Sequence, residues 1–180
     1  MNPDDMSFDD YIFYSGLLQA EGLQEYANNF RRRMFSSSSA IFWMYNDTWP
    51  VSHGWTIVDY YLRRKMAYHP VRRAFQPIQI IPAADGDMVK IFGINDTMSV
   101  WNGSARYRIF TLDGKMPIDK TCDVELKPNS ATLIDEIPMA DWKKIGETFS
   151  GAFGLLYQDG KLIAQNRMFV TLFKDLKWSK

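Results

Sequence analysis

The chain has 180 residues, 46% of them apolar, and 21 basic residues balance 21 acidic ones. That length allows one large domain or two small ones, each with a packed core. Eight basic and eight acidic residues precede Gln76 and thirteen of each come after it, which argues against a nucleic-acid module or a membrane-surface segment in either half. Cys122 is the only cysteine, so no internal disulfide and no thiolate metal cluster can form. His53 and His69 lack metalloprotease spacing, no apolar run is long enough to span a bilayer, and no cofactor is expected. The opening MNPDDMSFDD is neither a signal nor a transit peptide, and the compartment is not readable from it.

Ser7-Phe8-Asp9-Asp10 fits a capping box, a hydroxyl followed three residues later by an acid. Apolar or small residues then recur at Phe8, Tyr11, Ile12, Ser15, Leu18, Gly22, Tyr26 and Phe30, on one helical face. The spacing predicts one helix from about Phe8 to Arg33, in which Gly16 and Gly22 mark either close packing or, at Gly22, a break, with its apolar face packed. Arg31-Arg32-Arg33 suits the last turn, where cations meet the dipole. Glu21 and Glu25 share a face and read as solvated. Met34 to Ser39 is a connector.

Ala40 to Pro50, AIFWMYNDTWP, is the segment around which the chain is organised. Ile41, Phe42 and Trp43 read as a strand buried on both faces. Asn46-Asp47 ends it, and Pro50 stops any further ladder. Trp43, Tyr45, Asn46, Asp47 and Trp49 would then cluster at the carboxyl end of a buried strand, where sheet enzymes place ligands. A loop from Thr48 to Trp55 carries Trp49, His53 and Gly54. Thr56 to Phe75 reads as a second helix, with Asp59 stabilising its start and Pro70 kinking it. One strand between two helices cannot make a sheet by itself.

After Gln76 the rhythm changes to seven short candidate strands: PIQIIPA, DMVKIFGIN, SARYRIFTL, IDKTCDVEL, SATLIDEI, GAFGLLYQ and KLIAQNRMFV. Ala105, Tyr107 and Ile109 alternate with Arg106 and Arg108, as strands do. Asp159-Gly160 between two apolar runs is a hairpin signal. Seven strands in about a hundred residues match an immunoglobulin-like sandwich. Trp101, Trp142 and Tyr107 read as core, with a carbohydrate-binding face as the other option. Asn46-Asp47-Thr48, Asn95-Asp96-Thr97 and Asn102-Gly103-Ser104 fit the short glycosylation pattern.

Taken together, these stretches resemble the carboxyl-terminal part of a family 2 glycoside hydrolase, on the β-mannosidase and exo-β-glucosaminidase side. QAEGLQEYANNFRRRM is similar to the helix before the last barrel strand, and AIFWMYNDTWP to that strand and its loop. WTIVDYYLRRKMAYHPVRRAFQPI is similar to the final barrel helix, and Val89 to Leu176 to the domain after the barrel. The resemblance implies an α+β composite. Residues 1–76 would be a helix-strand-helix remnant of a (β/α)8 barrel, and 77–180 an immunoglobulin-like β-sandwich. It also implies a retaining exo-β-glycosidase whose two catalytic glutamates, roughly 5–5.5 Å apart, lie on earlier barrel strands. No catalytic residue is therefore assigned here, and the isolated chain is expected to be inactive.

The same resemblance assigns substrate binding to Trp43, Asn46, Asp47 and Trp49. Trp43 matches the indole at the floor of the sugar pocket, and a flat indole suits the apolar face of a sugar ring. Asp47 reads equally as a turn cap, while Trp49 and Trp55 read first as core packing. Met44-Tyr45 stands where many β-mannosidases have Gln-Leu, closer to the exo-glucosaminidase pattern. The implied partners are a terminal β-linked sugar and the remainder of the barrel, not nucleic acid and not a membrane. A non-catalytic binding module is the other reading. The truncated barrel segment should pack on the sandwich, self-associate or be partly mobile, since its strand edges lack partners.

Overall fold

A computed structural model describes residues 5–51 and 54–178. The chain divides into two compact units between Gln76 and Pro77. The first combines helices and irregular chain, an unclosed partial barrel. The second is a β-sandwich.

In the first unit α1 spans Phe8–Arg31 without a break at Gly22. Ser7 caps it: the Asp10 amide donates to Ser7 Oγ (3.1 Å), and that hydroxyl donates to the Asp10 carboxylate (2.7 Å). Burial does not follow the apolar stripe. Ala20, Ala27, Asn28 and Arg31 are the buried residues, whereas Phe8, Tyr11, Ile12 and Leu18 are exposed. Small residues let α1 pack closely at its carboxyl half, and among the described residues the aromatic amino-terminal half is left largely exposed. Arg31 does not merely decorate its own helix end. Its guanidinium donates to the carbonyl of Ala74, an orphan acceptor at the end of α2.

Helix α2 spans only Tyr68–Ala74, against the longer helix expected from Thr56. Pro70 falls in its first turn, where a missing N–H costs nothing, so it starts the helix rather than kinking it. A small core of Ala20, Ile57, Val58, Ala67 and Val71, with Leu23, Phe42 and Tyr68 against it, ties these segments together.

The segment from Ile41 to Trp43 is irregular chain without a ladder, bending at Trp43, and Ile41 and Trp43 are exposed rather than buried. A barrel strand is buried by its neighbours on both sides, and the described residues of this unit supply none. What pairing exists is a parallel bridge between Asn46 and Val58 and an antiparallel one between Val58 and Arg64.

The second unit contains all seven expected strands: β1 Ile78–Asp85, β2 Met88–Asn95, β3 Trp101–Thr111, β4 Ile118–Leu126, β5 Ser130–Pro138, β6 Ser150–Gln158 and β7 Lys161–Met168. They form two antiparallel sheets, β1-β2-β5 and β4-β3-β6-β7. Asp159 and Gly160, both at positive φ (51° and 73°), make the two-residue turn between β6 and β7, as an I′-type hairpin demands. A short helix α3, Met139–Ile145, links β5 to β6 and turns Met139 and Trp142 inward.

Ile80, Val89, Ile91, Ala105, Ile109, Leu126, Leu156 and Trp142 fill the space between the sheets. Trp101, Trp142 and Tyr107 belong to this core, so they form no outward carbohydrate-binding face. Asn95 is fully buried, its amide donating to the carbonyls of Ser99 and Leu126 (2.9 Å each). It is a structural clip and not an accessible glycosylation acceptor.

Candidate functional site

The Trp-rich segment is built from three pieces of chain held side by side. The Tyr45 carbonyl accepts from the amides of Ile57 (3.2 Å) and Val58 (3.0 Å), and the Asp47 amide donates to the Val58 carbonyl (3.1 Å). On the other side the Lys65 amide donates to the Ile57 carbonyl, and the Asp59 amide to that of Arg63 (2.9 Å each). Asp59 therefore caps a turn rather than a helix. Its carboxylate accepts from the Arg63 amide (2.8 Å) and guanidinium (2.6 Å).

At the centre sits Asp47, only 5% exposed. Thr56 Oγ1 donates to its Oδ1 (2.7 Å), and Lys65 Nζ lies 2.8 Å from its Oδ2. The same ammonium donates to Thr56 Oγ1 (2.6 Å). The bonds from Lys65 first, then Thr56, hold this carboxyl below the usual carboxylate range. Gly54 permits the arrangement, since a Cβ there would lie 2.8 Å from Asp47 Oδ1.

The indoles take the opposite disposition. Trp43, Trp49 and Trp55 are 75%, 69% and 70% exposed, so the described residues of this chain do not pack Trp49 and Trp55. Asn46 is exposed, its amide donating to the Asp47 carbonyl (3.2 Å). Gln19 on α1 secures the far end of the loop by donating to the Trp55 carbonyl (2.7 Å). His53 lies outside the described residues. Tyr45 lines a separate apolar groove of about 510 Å³ with Ala40, Phe42, Ile57, Val71 and Phe75. Among the described residues no group of three or more His, Cys, Asp or Glu could hold a metal ion, and no helix is long and apolar enough to cross a membrane.

Of the residues singled out from sequence, Trp43, Asn46 and Trp49 are exposed, and Asp47 is buried on Thr56 and Lys65. Thr56, Lys65 and Gln19 carried no local signal. They matter only because folding brings them to Asp47 and to Trp55.

A partial barrel ending in a Trp-rich segment, followed by an immunoglobulin-like sandwich, is the layout of the rear of a family 2 glycoside hydrolase. Comparison with known proteins agrees. Residues 87–175 match the Mannosidase Ig/CBM-like domain. Beta-mannosidase B of Aspergillus terreus is 35% identical over 94% of this chain and 22% of its own length. That of Thermothelomyces thermophilus is 36% identical over 39% of this chain and 9% of its own length. The crystal structure of beta-D-mannosidase from Dictyoglomus thermophilum superposes with a TM-score of 0.87 at 29% identity, covering 96% of this chain and 21% of that one. The exo-chitosanase CsxA of Amycolatopsis orientalis shares the fold, with a TM-score of 0.73 at 22% identity over 89% of this chain and 19% of its own. The chain comprises a mannosidase-type immunoglobulin-like domain together with part of a β-mannosidase-like barrel of glycoside hydrolase family 2. It spans about a fifth or less of the length of these relatives.

Proposed function

We propose that this chain is the C-terminal part of a retaining exo-β-glycosidase of β-mannosidase type, acting on a terminal β-linked sugar. It supplies one wall of the sugar pocket and an ancillary sandwich, with residues 1–76 as the barrel segment and 77–180 as the sandwich domain. The catalytic glutamates belong to the remainder of the barrel, and the chain by itself does no chemistry.

The observation that carries this reading is the pair of exposed indoles, Trp43 and Trp49, flanking a buried and bonded Asp47. Exposed indoles on a supported segment suit stacking against the C–H face of a pyranose, and the exposed Asn46 amide suits a neighbouring hydroxyl. Asp47 contributes from behind, by shaping the segment. The uncovered apolar side chains of α1, from Phe8 to Leu18, fit a surface that the rest of the barrel would cover. In isolation the same surface favours self-association.

A non-catalytic binding module is the second reading, weakened because the sandwich aromatics Trp101, Trp142 and Tyr107 are core.

The test uses the 180-residue chain with aryl β-mannosides and aryl β-glucosaminides for turnover. Methyl β-D-mannopyranoside and methyl β-D-glucosaminide serve for binding by NMR titration. Weak binding without turnover is expected, lost in Trp43→Ala but retained in Trp178→Ala, whose indole is exposed on the sandwich. Turnover by this chain would overturn the assignment of the chemistry to other strands. Binding indifferent to Trp43 would overturn the pocket.

A further inference from the structure

The Asp47 carboxylate, buried and turned away from solvent, is at the neck of a loop. Asp47 precedes residue 48 and Thr56 comes after residue 55, so the bond between Thr56 Oγ1 and Asp47 Oδ1 (2.7 Å) closes the stretch that carries Trp49 and Trp55. Lys65 reaches the same point from a third segment, fixed by its own amide on the Ile57 carbonyl (2.9 Å). Its ammonium touches both sides of the neck at once, 2.8 Å from Asp47 Oδ2 and 2.6 Å from Thr56 Oγ1.

We propose that Lys65 and Thr56 are positioning residues: acting through Asp47, they pin the segment from Tyr45 to Asp47 against Thr56, Ile57 and Val58 and so set the placement of Trp43 and Trp49, which adjoin it on either side. The proposal rests on the reading of those indoles as sugar contacts. The physical requirement is simple. A carboxylate taken out of water needs a counter-charge and hydrogen-bond donors, and Lys65 and Thr56 provide both. Without Lys65 the carboxylate is left buried and uncompensated. It relieves this by swinging to water, which breaks the Thr56 bond and frees the Tyr45–Asp47 segment from Thr56. Lys65 itself points at Asp47 and Thr56, so its influence on a ligand is indirect.

Two variants of the full chain test this. Lys65→Met keeps most of the aliphatic stem and removes the charge. Asp47→Asn combined with Lys65→Met removes both charges and keeps the shape. Two readouts separate clasp from contact: hydrogen exchange at the amides of Asp47, Ile57 and Val58, and NMR titration with methyl β-D-mannopyranoside and methyl β-D-glucosaminide. Lys65→Met is expected to speed exchange at those amides while leaving α1 and the sandwich unchanged. It should also weaken sugar binding by about tenfold, a loss of about 1.4 kcal/mol. The double variant should return both readouts toward the original.

Exchange unchanged while affinity falls would make Lys65 a direct ligand contact and overturn the proposal. A double variant as loose as the single one would also overturn it, because the unpaired charge would not be the agent. If the unaltered chain binds neither sugar, the sugar reading fails, and the exchange measurements alone then decide whether the clasp exists.

Discussion

The phenol of Tyr107, on β3, donates a 2.9 Å hydrogen bond to the carboxylate of Asp135, on β5, and so joins the two sheets of the sandwich. Lys120 on β4 approaches the same carboxylate oxygen (2.8 Å). The register of β2 against β5 shifts between Ile91 and Phe92, leaving Ile134 as an extra residue beside Asp135. A bulge of this kind re-aims side chains, here toward the neighbouring sheet.

Tyr107→Phe is therefore expected to cost about 1.5–3 kcal/mol, the range for a hydrogen bond to a charged group, with Lys120 still holding Asp135. Urea unfolding at neutral pH checks it. Burial first, then the bond to Asp135, raises the phenol's pKa well above its ordinary value. This stabilisation is complete below pH 10, the unfolded value, and fades as pH climbs through the folded one. The difference between the original chain and Tyr107→Phe should accordingly shrink in strong alkali.

In the β3–β4 connection, Lys115, then Thr111, hold the Asp113 carboxyl down to about 2. Lys115 Nζ lies 2.8 Å from Asp113 Oδ2, and Thr111 Oγ1 donates to Oδ1. A depressed carboxyl contributes above its unfolded value and loses that contribution as pH falls through its folded one. Carboxyl-carbon NMR should place the Asp113 midpoint near 2. Lys115→Met should move it upward, toward an ordinary aspartate. An unmoved midpoint would show that Lys115 is not the cause.

Trp142 is the largest fully buried side chain, and its indole N–H donates to Ser150 Oγ (2.7 Å), which in turn donates to the Gly146 carbonyl (2.6 Å). Trp142→Phe removes the donor and leaves a void; a loss of about 2–4 kcal/mol is expected. Denaturant titration of the sandwich, followed at Trp101, measures it. A loss under about 0.5 kcal/mol, the scatter of surface substitutions, would mean that the core collapses around the gap.

Much of the sandwich was legible because its signals are local. Period-two alternation in Ala105-Tyr107-Ile109 marks which face of β3 is buried, whatever packs on it. Asp159-Gly160 suits positive φ in any hairpin, and Ser7 caps α1 through atoms three residues away. Helix α3 carries no such signal, because seven residues between two strands offer too short a period to read.

The barrel segment behaves differently. Its sequence holds the family pattern, AIFWMYNDTWP, and the exposed fate of Trp43 lies outside that pattern, because burial of a barrel strand belongs to the strands beside it. The sequence by itself determined the two-part layout and the residue types at the Trp-rich loop. Tertiary structure alone decided that Asp47 is buried and clasped, since its partners Thr56 and Lys65 come from segments that meet only when the chain folds. A charge can leave water only where a distant counter-charge waits for it.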